Sequence, residues 1–423
     1  MKDHKYKMTV IMPSYNNGIY IRQALDSILM QETGFNYQII VTDDCSQDNS
    51  PEIIAEYEVK YPEKILALYS QKNCRLFCNV LKALEKMDSE YFCVLDPDDY
   101  WTDPKRLQKA VDFLDKNTDY TIYATNLYKI FNDGTIEIKY DRPGMNTHTS
   151  TYIDYLNGKA VLSCTPSSTY RNVYFSGGIP QEYLDLKGTL FEEIFRADTA
   201  RNLLHLIKGK AYFVNEITGY CRYHGKGLAS SLLKYEMALT SAFGHIGYYM
   251  FFGKQHEAEY VKLIKNAYKD AIKEYLSELI NGNIPKLSKL YKEYLEVVVE
   301  WLQVHDKEKI NNRIPFSLSK FSETFRKKTI IWGTGTLAVK IINEYNLPIH
   351  EDTFFVDNNP SKQGTNFMGK PVKAPCEIKK EKDYIVIIAS SYYKEIIGQI
   401  EKEELCSNDM IVNIYDFREN WIN

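Results

Sequence analysis

The chain of 423 residues predicts an α/β protein built around a parallel sheet, and three observations carry that prediction. Short apolar runs at 10–12, 37–41, 65–68 and 91–95 alternate with segments of helical spacing. Three of these runs stop in polar breaks, at 13–17, 43–46 and 96–99. A further strand, glycine-rich turn and helix begin at Lys328. In open parallel sheets ligands bind beyond the carboxyl ends of the strands. The three breaks are therefore expected to converge on one crevice.

Each element follows in order. After the first strand, Ile21, Leu25, Ile28 and Leu29 recur at helical spacing. The second strand stops at Thr42-Asp43-Asp44-Cys45-Ser46, and Ser50 reads as an N-cap with Pro51 at the first helical position. A helix through Phe77, Val80, Leu81 and Leu84 joins the third strand to the fourth, and another carries Leu107, Ala110, Val111 and Leu114. Residues 122–124 read as one more strand, 141–144 as a turn and 158–168 as a loop over an acceptor. Residues 199–208 are helical, with Gly209 as the C-terminal cap. Helical patterns then dominate, broken at 281–283, until the last α/β unit with its strands at 354–356 and 383–391.

Lysine and arginine number 52 against 56 acidic residues, for a net charge of −4, so a protein devoted to nucleic acid is excluded. The eight cysteines form no CxxC pair, which excludes a zinc module and points to free thiols in a reducing compartment. The first seven residues carry no signal-peptide core, and no apolar run is long enough to span a bilayer. The expectation is a cytosolic protein, with any association at the inner face of the cell membrane peripheral.

The densest chemistry lies in Asp96-Pro97-Asp98-Asp99, directly after the buried run at 91–95. Clustered carboxylates at a strand end suit Mg²⁺ or Mn²⁺, which take oxygen ligands and keep positions open for phosphate. They equally suit an acidic turn before the helix that starts near Pro104. The segments "VIMPSYNN", "IIVTDDCSQDNS", "QKNCRLFCNVLKAL" and "EYFCVLDPDDYWTDPKRL", in that order, resemble a family 2 glycosyltransferase of the GT-A fold. The resemblance runs from Met8 to about residue 230. It implies that Tyr15 stacks on uracil, that Pro13 and Asn16 lie against the nucleotide, and that Asp44 reads the uracil edge. Asp96 and Asp98 match the DxD motif that meets the ribose and the divalent metal.

The resemblance extends, more weakly, to the acceptor side. An acidic pair usually stands about eleven residues before the glycine that ends this helix. Here the pair is Ala197-Asp198, so the Asp is kept and the Glu is replaced. Asp198 is thereby implied as the catalytic base, with an ordinary helix N-cap as the alternative and Glu192 or Glu193 as substitutes. His224 matches a position near the diphosphate and metal. A Gln-x-x-Arg-Trp motif and membrane helices are both missing, so one sugar, or few, would be added. The implied organisation is a GT-A domain at 1–230, a helical spacer or interaction region at 231–325 and a small Rossmann-like domain at 326–423. The implied reaction is inverting and metal-dependent, from a UDP-sugar to a glycan, lipid-linked or glycoprotein acceptor. A helical spacer and an extra α/β unit leave room for a homo-oligomer.

The last unit supplies the rival reading. Gly333-x-Gly335-x-x-Ala338 fits a permissive dinucleotide fingerprint, and Asp357 ends the next strand where a ribose-binding acid would sit. A protein acting through NAD or another nucleotide at that unit would leave the N-terminal motifs unexplained. A nucleotidyltransferase would need a basic, glycine-rich loop where Pro13-Ser14-Tyr15-Asn16-Asn17 stands.

Overall fold

The computed structural model describes residues 4–141, 146–195, 197–225, 232–280, 287–305, 328–344, 349, 352–382, 384–406 and 411–413. The predicted turn at 142–144, the break at 281–283 and Asp383 lie outside the described residues. The chain divides into two compact units, Met1–Ser231 and Leu232–Asn423.

The first unit opens with β1 (Tyr6–Ser14), α1 (Ile21–Leu29), β2 (Tyr37–Asp43), α2 (Ser50–Lys60), β3 (Ile65–Tyr69), α3 (Arg75–Lys86) and β4 (Ser89–Val94). These strands lie parallel in the order β3-β2-β1-β4. All seven residues of β2 are buried, as a strand covered on both faces requires. Helix α1 buries Ile21, Ala24, Leu25 and Ile28, the i, i+3, i+4, i+7 stripe that its sequence encodes. That stripe packs with Val10, Met12, Ile39 and Val41 in one core cluster.

Beyond β4 the sheet is mixed rather than purely parallel. The chain continues through β5 (Tyr100–Trp101), α4 (Arg106–Lys116), β6 (Tyr120–Phe131), β7 (Ile136–Ile138), β8 (Thr147–Ser150) and α5 (Tyr152–Leu156). It then forms β9 (Ser168–Arg171), α6 (Gln181–Leu184), α7 (Glu192–Phe195), α8 (Asp198–Leu206) and β10 (Lys210–Tyr223). Strand β9 inserts antiparallel between β4 and β6, and β10 pairs parallel with β6 and antiparallel with β5 and β8.

Two local expectations are corrected. Ser50 is the first residue of α2, not its cap. Its hydroxyl donates to Asp48 Oδ1 at 2.6 Å and accepts the Asn17 N–H at 2.9 Å. Gly209 does not cap α8, whose C-cap is Ile207. A Cβ there would lie 2.6 Å from Thr121 Cγ2 and 2.8 Å from the Asp119 carbonyl, so the glycine serves a close approach of two chains.

In the second unit, α9 (Lys234–Tyr248), α10 (Glu257–Ile280) and α11 (Lys289–His305) pack through aromatic pairs. Phe243 stacks on Tyr294 at 4.1 Å, and Tyr235 meets Tyr275 edge-on at 5.3 Å. The same unit holds β11 (Lys328–Trp332), α12 (Thr336–Glu344), β12 (Phe354–Val356), β13 (Asn366–Phe367) and β14 (Lys370–Lys373). It ends with β15 (Tyr384–Ile388), α13 (Tyr393–Glu403) and β16 (Ile411–Asn413). The strand order is β13-β14-β12-β11-β15-β16, with only β13 antiparallel. Among the described residues no helix is long and apolar enough to cross a membrane.

Candidate active site

The carboxyl ends of β1, β2 and β4 form one edge of the first sheet. Strand β4 pairs with β1 only as far as Ile11, after which the Leu95 N–H reaches the Ile11 carbonyl at 2.9 Å. Pro13 sits just past that point, where its missing N–H costs no ladder bond. On the other side Pro13 is in register with Thr42, and the Asp44 N–H bonds the Ser14 carbonyl at 2.9 Å.

The loops after β1 and β2 are tied to each other. The Asn16 N–H donates to Ser46 Oγ at 2.9 Å, and Asn16 Oδ1 accepts the Gln47 N–H at 2.7 Å. The Gly18 N–H donates to Asp48 Oδ2 at 2.8 Å. Asn16 and Cys45 hold positive φ, at 54° and 62°, a conformation that asparagine tolerates better than most residues. The Asn16 carbonyl oxygen is thus committed to this tie. Tyr15 stands 46% exposed at the rim, whereas Asp44 is buried. Asp44 Oδ1 accepts the Cys74 N–H at 2.9 Å at the start of α3.

After β4 the chain turns tightly, with the Asp99 N–H on the Asp96 carbonyl at 3.0 Å. Strand β5 follows at once and pairs with β10 at Gly219 and Tyr220. A Cβ on Gly219 would lie 2.5 Å from the Tyr100 carbonyl, so only glycine lets the two strands approach. This pairing lays the end of β10 along the aspartates. The Arg222 N–H donates to Asp99 Oδ1 at 2.8 Å, its Nη1 donates to the Asp98 carbonyl, and its Nη2 donates to Gln23 Oε1 at 2.6 Å. Its guanidinium lies between the rings of Tyr20 and Tyr100, at 5.0 and 4.7 Å. His224 Nε2 sits 2.9 Å from Asp98 Oδ2, and its ring stacks on Tyr20 at 5.5 Å.

Helix α8 brings the last group. Asp198 is the first helical residue, not the cap, which is Ala197 without a side-chain bond. Asp198 Oδ1 accepts the Thr199 N–H at 2.7 Å. One turn on, Arg201 is buried and donates to Thr165 Oγ1 at 2.9 Å. Burial raises the Asp96 carboxyl to about 7; the charge of Asp98 adds to this, and Asp198 contributes in the same direction. Arg201 and a Thr165 hydrogen bond oppose the rise without cancelling it. Burial, Asp98 and Asp96 together push the Asp99 carboxyl well above the usual carboxylate range. Asp96 thus feels the charges of Asp98, Asp198 and Arg201.

A buried histidine supports α8. His205 Nδ1 bonds the Arg201 carbonyl at 2.7 Å, and the ring packs on Tyr170 and Phe92 at 4.6 and 5.5 Å. Burial lowers its pKa to about 4 from the ordinary 6.5. Between those values the unfolded chain binds a proton that the folded chain refuses. The histidine's contribution is therefore complete above pH 6.5 and is lost as pH falls toward 4, by about 3 kcal/mol. Asp96, with its raised carboxyl, acts in the opposite direction, so the comparison must be made within one site. Urea unfolding of the wild type and His205→Phe at pH 7 and pH 5 is expected to show a smaller acid loss in the variant.

Arg201, Arg222 and Thr165 went unmarked in the sequence. Two carried a signal. Arg201 lies three residues after Asp198 on a helix, and Arg222 lies two before His224 on a strand, spacings that share a face. Glu192 and Glu193 are otherwise engaged. Glu192 Oε2 accepts the Gly188 N–H at 2.6 Å, and Glu193 lies 3.6 Å from Arg75. Among the described residues no three His, Cys, Asp or Glu side chains form a ready metal-binding group. The carboxylates with the chemistry for a hard cation are Asp96 and Asp98, with His224 beside them.

In the second unit Gly333 has φ of 125°, and its N–H bonds the Val356 carbonyl at 2.8 Å. Asp357 is held by Thr334 Oγ1, by Lys362 Nζ at 3.1 Å and by the Asn359 N–H at 2.9 Å. Burial pushes its carboxyl up, but these bonds outweigh it and keep the group below the usual range.

The carboxylate-lined crevice lies at the carboxyl edge of the β3-β2-β1-β4 sheet, where sheets of this kind take their ligands. Residues 9–176 match the family described as Glycosyl transferase family 2. Residues 325–412 match a family described as C2185-like, N-terminal. An uncharacterised protein of Mycobacterium bovis is 28% identical over 221 residues, covering 52% of this chain and 60% of that protein. The chain thus spans about 60% of the length of that relative. The minor teichoic acid biosynthesis protein GgaB of Bacillus subtilis is 35% identical over 118 residues, 27% of this chain and 13% of that protein. Among solved structures, S. aureus TarS 1-349 in complex with UDP-GlcNAc is 18% identical with a TM-score of 0.48, covering 70% of this chain and 81% of that one.

Proposed function

We propose that the first unit transfers a sugar, with inversion, from a UDP-sugar to a hydroxyl of a glycan, lipid-linked or glycoprotein acceptor. The observation that carries this reading is the arrival of Asp198, on its own helix, within the electrostatic reach of the Asp96 cluster. A base for the acceptor and carboxylates for the leaving group then share one crevice. Tyr15, Pro13 and Asn16 would wall the base and ribose, and Asp44 would take the edge of the base. Asp96 and Asp98, with His224, would hold Mg²⁺ or Mn²⁺. Burial, with the charges of Asp98 and Asp198, raises Asp96 to about 7, and a divalent cation would offset that excess of negative charge. Such a cation, when bound, stabilises the negative charge that develops on the diphosphate.

The proton steps belong to the chain's own residues. Asp198 takes the proton of the acceptor hydroxyl, and that oxygen attacks the anomeric carbon on the face opposite the diphosphate. The bond from that carbon to the diphosphate breaks, and its electron pair leaves with UDP. No covalent intermediate on the protein is needed. GgaB's name places that relative in teichoic acid biosynthesis, which favours a surface polymer as the acceptor here.

The deciding experiment follows free UDP while the protein is incubated with each common UDP-sugar and Mn²⁺, Mg²⁺ or EDTA. Release from one donor with a metal, and none with EDTA, is expected. Asp98→Ala is expected to lose the metal-dependent part of UDP affinity in calorimetry. Equal affinity with and without Mn²⁺ in the wild type would remove the metal from the reading.

For the second unit we read the parallel order β14-β12-β11-β15-β16 as Rossmann-like. The engagement of Asp357 by Thr334 and Lys362 argues against NAD as its ligand.

A further inference from the structure

The nucleotide side of the crevice contains a charged group that the reaction above does not use. Asp44 Oδ1 lies 3.0 Å from Cys74 Sγ, and that sulfur lies 3.1 Å from Lys82 Nζ. Lys82 Nζ also bonds Ser70 Oγ. The four residues come from the ends of β2 and β3 and from one face of α3. Cys74 caps that helix, and Lys82 follows two turns later. Asn79, on the same helix, locks it to the sheet by donating to the Thr42 carbonyl at 2.9 Å.

The hydrogen-bond directions follow from the groups. Burial, and then the bond to Asp44, raise the Cys74 thiol, so it stays protonated and donates to the carboxylate. Its sulfur accepts from the ammonium. An ammonium has three N–H donors, and among the described residues two are placed, on Ser70 and Cys74. One is left over. Asp44 Oδ2 likewise makes no hydrogen bond among the described residues. Cys74 and Lys82 are only partly buried, so the group meets solvent on their side, while Asp44 lies buried beneath them.

A carboxylate acceptor and an ammonium donor thus flank one sulfur atom, at 3.0 and 3.1 Å from it. The complement is an N–H beside a C=O on one edge of a ring, the imide edge of uracil or thymine. Cytosine presents a bare ring nitrogen and an amino group at the same edge. The nitrogen lone pair would face the carboxylate, and the amino protons would face the ammonium.

We propose that Lys82 is a specificity-determining residue that takes the 4-carbonyl of a pyrimidine imide whose N–H is taken by Asp44. The proposal rests on the reading of Asp44 as the base-binding carboxylate. It makes the donor a uridine or thymidine diphosphate sugar and rejects a cytidine one.

The test is calorimetry on the full chain at fixed Mn²⁺ with three nucleotides: UDP, CDP and 4-thio-UDP, which keeps the ring N–H and replaces the 4-oxygen with a weakly accepting sulfur. Wild type is expected to bind UDP about 10-fold more tightly than the 4-thio analogue, within the range of a charged hydrogen bond. Lys82→Met is expected to lose that factor for UDP and to bind UDP and the analogue alike. Lys82→Gln, which keeps a neutral donor, is expected to recover part of it. Equal wild-type affinity for UDP and the analogue overturns the proposal without needing any variant to fold. So does an equal loss for both nucleotides in Lys82→Met, because that loss would be structural. A wild type that binds UDP but fails these comparisons leaves the nucleotide site standing. A wild type that binds no UDP overturns both readings.

Discussion

Asp198→Asn protein is expected to bind UDP as the wild type does and to lose about 10²- to 10⁴-fold in turnover, the range for a positioned general base. The asparagine keeps the size of the side chain and its oxygen for the Thr199 N–H, so α8 should start as before. What it lacks is a place for the acceptor's proton. The comparison is single-turnover transfer against UDP calorimetry on the same preparation. Loss of both together would mean that Asp198 organises the crevice and is not the base. Unchanged turnover would pass the role to another carboxylate, and the bond from Glu192 to Gly188 makes that residue a poor substitute.

Arg201→Met is expected to lower stability by about 3–5 kcal/mol, the cost of stripping the partner from a buried charge. Arg201 is buried and counters the charges of Asp96 and Asp198. Methionine fills similar space but leaves the acids facing one another. Urea unfolding at pH 7.5 measures the loss. Adding Asp96→Asn should return a share of it, because one of the uncompensated charges is then gone. A double variant no more stable than the single one would show that the arginine acts through its bond to Thr165 instead.

The parallel half of the first sheet was legible because β2 and its neighbours β1 and β4 are buried for most of their length and read as apolar runs, although the edge strand β3 is partly exposed. Strand β10 was not. Its sequence, KAYFVNEITGYCRY, is half-exposed, and its pairing with β6 shifts register between Val214 and Ile217 and again between Ile217 and Tyr220. Such irregularities break the two-residue alternation on which strand recognition depends. The same strand carries Arg222, whose partners Asp98 and Asp99 lie more than a hundred residues away. No local pattern encodes that meeting. The aspartates themselves were legible from their density. Their unequal environments, with Asp99 buried and Asp98 beside an imidazole, come only from the strands folded over them.

The tie between the loops after β1 and β2 has a consequence for how ligand recognition is timed. The amides of Asn16, Asn17, Gly18 and Gln47 belong to loops, yet each is capped by a side-chain oxygen of the facing loop or, for Asn17, of Ser50 at the start of α2. In deuterated solvent they should exchange at the pace of the sheet's own opening, far slower than fraying turns. A wall that is already rigid loses little further freedom when a nucleotide docks on it. The association rate at this edge would then be set by diffusion and charge, with no slow ordering step ahead of it.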